Sequence, residues 1–389
     1  MKALPPLGLY LHLPWCRRRC PYCDFNAHAL RGPLPARAYV EALLRDLEGE
    51  LPRVWGRRVR SLFLGGGTPS LFPPEAVDRL LEGLRALLPL DPEAEITLEA
   101  NPGTVDRARL EAYRAAGVNR LSLGVQSFQD RLLRALGRIH DARQAREAAA
   151  AAREAGFARL NLDLMWGLPG QDPAAALADV EQALAFDPGH LSHYQLTLEP
   201  GTPFHRRPPP LPGEEALEAM EAACAERLLE AGYRRYEVSA WAREGQRCRH
   251  NLNYWLYGDY LGLGAGAHGK LSLPAAGGEG GALRILRTRR PADPQAFLAR
   301  PGPEAQWEVP PREAAFECLL NGLRLVEGLP EALLEERTGL PLQALAQPLA
   351  RARERGLLER GEGRLRPTPL GLRHLNTLQL LFLPEEEAA

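Results

Sequence analysis

Three cysteines, Cys16, Cys20 and Cys23, fall within eight positions of the stretch LYLHLPWCRRRCPYCDF, residues 9–25. A C-x3-C-x2-C spacing sets soft thiolates on one short loop, and thiolates bind zinc or iron–sulfur clusters. Structural zinc wants four protein ligands, so His12, His28 or Cys248 would have to complete such a site. A 4Fe-4S cluster on three cysteines leaves one iron open to a small chelating molecule. Arg17, Arg18 and Arg19 make the loop hydrophilic, which argues against three merely buried thiols and favours the thiolate form.

Such a loop needs a frame. Short β-rich runs at 8–14, 58–67, 95–103, 119–128, 159–170 and 190–203 alternate with amphipathic segments whose apolar residues recur every three or four positions. Repeated strand–helix–strand units imply a parallel sheet with helices outside. Six units suit a partial (β/α)6 barrel. The strands end in polar or glycine-rich clusters, GGGTPS, EANPG, GVQSF and DLMWGLPG. In barrels the active site forms at the C-terminal strand ends, so these clusters are expected to converge.

Beyond a proline-rich break at 199–215 and a helix at 215–232 comes an aromatic- and glycine-dense stretch, 233–269. Residues 271–313 read as surface loop and linker. Helices, a hairpin in LLERGEGRLRPTP and a last helix in LGLRHLNTLQLLFL then predict a winged-helix-like α+β domain. The expected units are 1–232, 233–313 and 314–389. DNA binding through Arg351, Arg353 and Arg355 is disfavoured against a packing or substrate-capping role, because the domain is not basic overall.

The chain has 389 residues, a formal net charge of -1 and a pI near 6.8, so no global basic field points to nucleic acid. Lys2 and Lys270 are its only lysines, read as genome composition. No apolar stretch approaches the roughly 18–20 residues of a membrane span, and the N-terminus is too proline-broken for a signal peptide. A cytoplasmic setting is expected. Cys224, Cys248 and Cys318 are too scattered for a secreted disulfide framework.

With Tyr22 just before the last cysteine, the triplet resembles the signature of radical S-adenosylmethionine (SAM) proteins. That resemblance implies a 4Fe-4S cluster on Cys16, Cys20 and Cys23, whose open iron is chelated by the SAM amino and carboxylate groups. YLHLPWC resembles the first strand of the coproporphyrinogen dehydrogenase-like branch, where Tyr10 packs on the sulfonium end of SAM. FLGGGTPS places Gly65, Gly66, Gly67 and Thr68 where the family's glycine motif meets the methionine moiety. Glu99, Gln126, Arg138 and Asp163 fall on the family's SAM-binding positions. Carboxylates there accept from the ribose hydroxyls or the ammonium, and the arginine pairs with the SAM carboxylate.

The branch holds oxygen-independent coproporphyrinogen III dehydrogenases and HemW-type heme chaperones. Dehydrogenases carry a further cysteine where this chain has Phe25, and an N-terminal extension that is not seen here. CRHNLNYW (248–255) resembles the H-N-x-x-Y-W motif of the chaperones, matching at His250, Asn251, Tyr254 and Trp255. Imidazole is a natural axial ligand for heme iron, with Cys248 a rival thiolate ligand and His268 a second candidate. His250 read on its spacing alone is a satisfied core histidine. The glycines of GDYLGLGAGAHG (258–269) are expected to wall a site by close backbone approach. The expectation is thus a heme chaperone with a 4Fe-4S cluster, SAM and heme, and a heme-acceptor protein as partner. Dimerisation and radical chemistry are left open. Coproporphyrinogen dehydrogenation is the rival reading, and a zinc-dependent regulator the third.

Overall fold

A computed structural model describes residues 4–274, 283–361 and 363–384. Six strands, β1 (Leu7–Leu13), β2 (Val59–Gly66), β3 (Leu90–Ala100), β4 (Arg120–Gln126), β5 (Arg159–Trp166) and β6 (Gly189–Gln195), lie side by side in chain order, all parallel. Each crossover is helical: α1 (Ala36–Val54), α2 (Pro74–Leu87), α3 (Arg107–Ala116), α4 (Ala142–Glu154) and α5 (Pro173–Leu184). The strands are largely buried, polar residues included: every residue of β4 except Gly124 is buried, among them Arg120, Ser122 and Gln126. The helices start where the chain supplies oxygen caps. Asp141 accepts from Gln144 N while the Gln144 side chain accepts from Asp141 N, and Asp106 and Asp172 cap α3 and α5. The partial (β/α)6 barrel is as expected.

The sheet continues past both edges. On one side β7 (Arg234–Glu237) and β8 (Ala240–Ala242) follow β6 in antiparallel pairing, in the order β6-β8-β7. On the other, β9 (Asp259–Leu263) runs parallel to β1 and is followed by β10 (His268–Pro274), β11 (Leu283–Arg289) and β12 (Ala305–Val309), all antiparallel. The twelve-stranded sheet therefore absorbs much of the segment expected as surface loop and linker. RILRTR and AQWEV form strands without a clean alternation of buried and exposed residues, and their flanks are rich in Gly and Pro. Residues 275–282, within that expected loop, lie outside the described residues.

The main core lies between sheet and helices. A second one is built from helices α7 (Pro311–Gly322), α8 (Glu331–Thr338) and α9 (Ala346–Glu354) with a small two-stranded sheet, Leu329–Pro330 against Arg364–Leu365, and it takes in Tyr257, Ile285 and Val309. The expected last helix is broken at His374 (φ -110°, ψ 43°) into Pro369–Arg373 and Leu375–Leu380. Among the described residues no helix is long and apolar enough to cross a membrane.

Candidate functional site

The cysteine loop is held at both ends by backbone. Gly67 N–H donates to Leu13 O at 2.9 Å and Thr68 N–H to Trp15 O at 2.8 Å, stitching the turn after β2 to the start of the loop. At the far end Asn26 Nδ2 donates to Ala265 O (3.0 Å) and Ala292 O (2.9 Å), and the Asn26 carbonyl accepts from His12 Nε2 at 2.9 Å. Two of the loop arginines fold it: Arg18 donates to Gly137 O (2.6 Å) and Arg138 O (2.9 Å), Arg19 to Cys23 O (3.2 Å) and Phe25 O (3.3 Å). Arg19 does favour the Cys16 and Cys23 thiolates, as the sequence had suggested, but burial outweighs it. Burial pushes the Cys16 thiol up to about 11, with Cys23 and Cys20 adding to it, and burial also raises Cys23. A bound cluster would supply positive charge that favours the thiolate form of Cys16 and Cys23.

The strand ends do converge. Cys16, Cys20, Tyr22 and Cys23 line one cavity of about 840 Å3 together with Gly66, Gly67, Thr68, Glu99, Gln126, Arg138 and Asp163. Arg138 Nη2 donates to Gly124 O at 2.6 Å, Nη1 lies 3.8 Å from Cys20 Sγ, and the buried Nε has no partner. Glu99 accepts from Gly66 N at 3.1 Å. Burial, then the neighbouring Asp163, pushes the Glu99 carboxyl up to about 8. Burial also raises Asp163, which accepts from Asn161 Nδ2 at 2.7 Å. Gln126 sits at φ 68°, a left-handed conformation costly for a non-glycine residue, and accepts from Tyr194 O–H at 2.7 Å. Thiols, an orphaned guanidinium N–H and two buried acids awaiting a cation fit an iron–sulfur cluster beside a ligand that carries carboxylate and positive charge.

Among the described residues no three His, Cys, Asp or Glu side chains are grouped about a single point, and this holds for Cys16, Cys20 and Cys23 as well. His12, His28 and Cys248, the candidate fourth ligands, are not among the residues lining the cysteine cavity. They bond to Tyr10 and Asn26, to Asn26, and to the Glu95 carboxylate respectively.

The glycines serve packing first. A Cβ on Gly67 would lie 2.6 Å from Trp15 O, and Gly66, at φ 115°, has the His12 ring 2.7 Å from where a Cβ would stand. Glycine is demanded here by the cysteine loop itself. In 258–269 the reason is the same, which corrects the expected site wall: a Cβ on Gly262 would overlap His268 O, one on Gly264 would meet His12 O at 2.5 Å, and one on Gly266 would meet Asn26. His268 is exposed at the start of β10 and lines neither cavity described here.

A smaller cavity, about 240 Å3, shares the walls Glu99, Ser122, Asp163 and Ser192 and is lined further by Tyr10, Phe63, Cys248, His250 and Tyr254. Tyr10 faces this space, its hydroxyl donating to His12 Nδ1 at 2.8 Å. His250 is 2 % exposed, and both ring nitrogens have partners, Ser61 Oγ at 3.0 Å and the Tyr254 hydroxyl at 3.1 Å. Burial drives its imidazole down to about 3, so it is neutral. Iron ligation would require it to give up one of these bonds. Cys248, raised to about 12 by burial and then by Glu95, is a thiol rather than a thiolate. Glu95 also explains the placement of the motif helix Arg249–Trp255: its carboxylate accepts from the N–H groups of Arg249 (3.2 Å) and His250 (3.0 Å).

Residues 10–183 match the Radical SAM superfamily and 309–374 the HemN C-terminal domain. Over 385 residues the chain is 46 % identical to the heme chaperone HemW of Escherichia coli (strain K12), covering 99 % of this chain and 100 % of that one. The chain belongs to the HemW family of radical SAM proteins. A mitochondrial radical S-adenosyl methionine domain-containing protein 1 of Bos taurus is 37 % identical over 98 % of this chain and 88 % of its own. Coproporphyrinogen III oxidase (HemN) from Escherichia coli, 24 % identical, shares the fold with a TM-score of 0.79, over 97 % of this chain and 90 % of that one. Iron–sulfur and SAM cofactor use follows from membership of the superfamily.

Within this radical SAM fold, sequence reasoning missed Arg324, which follows α7 and lines the large cavity beside Trp255. No local spacing marks it, because its position depends on where the C-terminal helices dock. Of the chaperone motif, Trp255 reaches the large cavity while His250 stays in the barrel interior.

Proposed function

We propose that this chain is a cytoplasmic heme chaperone that binds heme and hands it to an acceptor protein. Cys16, Cys20 and Cys23 hold a 4Fe-4S cluster, and SAM lies across the strand ends. The carrying observation is the 46 % identity to a heme chaperone over the whole of both chains. Phe25 supports that reading over the dehydrogenase: 59 % exposed, it lines the large cavity at the position where the catalytic relatives place a further cysteine. None of the six cysteines is paired in a disulfide, in keeping with a reducing compartment.

When bound, the cluster and SAM supply a one-electron donor beside a cleavable sulfonium. The chain's own residues do the positioning. Glu99 and Asp163, both raised by burial, would meet the positive charge of SAM, and the Glu99 carboxyl, pushed up to about 8, would give up its proton there. Arg138 Nε takes the carboxylate, while Gln126, fixed by Tyr194, and the turn Gly66–Thr68 bound the space. In this arrangement the cluster and SAM serve assembly or gating, and heme transfer is the output. Phe25 and Trp255 offer aromatic surface to a porphyrin on the walls of the same cavity.

The deciding experiment is an anaerobic assay of reconstituted protein with reductant, SAM and coproporphyrinogen III. The reading expects no decarboxylated product from a protein that binds hemin. Multiple-turnover decarboxylation would establish the dehydrogenase instead.

A further inference from the structure

Two arginines in the large cavity each bury an Nε with no partner, Arg138 beside the cysteines and Arg324. Arg324 belongs to the C-terminal helices and meets the far edge of the sheet, where its Nη2 pairs with Glu237 of β7 at 3.1 Å. Its guanidinium lies over the Trp255 ring, 4.5 Å from the centroid, and Trp255 Nε1 is also buried without a partner. A buried donor left unpaired is costly, so two side by side call for an acceptor. Glu237 pairs with one edge of the guanidinium, and the orphaned Nε and the indole N–H are left for a second acceptor. A carboxylate can accept from both donors. In the proposed SAM site Arg138 takes the SAM carboxylate, so a carboxylate at Arg324 would come from a different molecule.

We propose that Arg324 and Trp255 form a carboxylate clasp that seats one propionate of heme at the seam between barrel and C-terminal helices, an inference that rests on the heme-chaperone reading. The indole face and Val238 give the adjoining macrocycle an apolar flank. The H-N-x-x-Y-W helix thus acts on heme through its tryptophan N–H, with His250 holding the helix from inside the barrel.

Reconstituted, SAM-loaded protein is titrated with hemin and with hemin dimethyl ester, whose propionates are blocked, and SAM affinity is measured alongside. Wild type is expected to bind hemin roughly tenfold or more tightly than the ester. Arg324→Gln and Trp255→Phe are expected to lose that preference by weakening hemin alone, with SAM affinity unchanged. Trp255→Phe keeps the stack and the Glu237 ion pair, so it carries the test if Arg324→Gln fails to fold. Variants that keep the wild-type preference overturn the clasp while leaving the chaperone reading intact. Loss of SAM affinity with hemin unchanged also overturns it, assigning the carboxylate to SAM. Wild type that binds no hemin removes the chaperone reading and the clasp together.

Discussion

Glu99 shows how a single buried group links stability to ligand binding. Its carboxyl is raised to about 8 by burial and by Asp163. A carboxyl whose folded value is raised stabilises the fold below its unfolded value near 4.5 and loses that contribution as pH rises through about 8. Ligand-free Glu99→Gln is therefore expected to melt higher than wild type at pH 8–9, with the gap closing toward pH 5, and to bind SAM at least tenfold more weakly. Thermal melts across pH check the first expectation and calorimetry the second. Calorimetry in buffers of different ionisation enthalpy should also register proton release when wild type binds SAM at pH 7. His250 carries the opposite sign. Its imidazole is held near 3, so its contribution is present above about 6.5 and is lost as pH falls toward 3. The stability difference between wild type and His250→Gln is expected to shrink below pH 6.5. The cysteine triplet and its glycine partner were legible because spacing along the chain carries them. The rise of the Cys16 and Cys23 thiols was not: burial outweighs Arg19 there, and burial is decided by tertiary packing.

At the scale of elements, two contacts position the site. Gly67 lets the turn after β2 lie against Trp15 O, with 2.6 Å where a Cβ would stand. Gly67→Ala is expected to displace the cysteine loop, reducing iron and sulfide per chain after anaerobic reconstitution to half or less of wild type. Elemental analysis checks this, and full occupancy would contradict it. Glu95 anchors the Arg249–Trp255 helix inside the barrel and pairs with Arg159 at 3.5 Å. Glu95→Ala is expected to cost about 2–3 kcal/mol in denaturant unfolding, because it leaves buried N–H groups without an acceptor. The six parallel strands could be read directly from apolar runs ending in polar clusters. Residues 283–309 could not, because β11 and β12 lack a clean alternation of buried and exposed residues and are flanked by glycine and proline. The glycines of 258–269 were rightly seen as close approaches, but which atoms approach is decided by tertiary packing against His12, Asn26 and His268.

Across the whole molecule, the large cavity is closed by parts distant in sequence, with cysteines after β1, acids from β3 and β5, and Arg324 after α7. Sequence motifs located the first three groups and left out the last, since only docking of the C-terminal helices brings it in. The central claim is that this barrel, furnished for cluster and SAM, carries heme. Hemin titration of the anaerobically reconstituted, SAM-loaded protein, followed by Soret absorbance, tests it most directly. A saturable transition at one heme per chain is the predicted result; absorbance that rises without saturation, as for hemin partitioning non-specifically, would contradict the account.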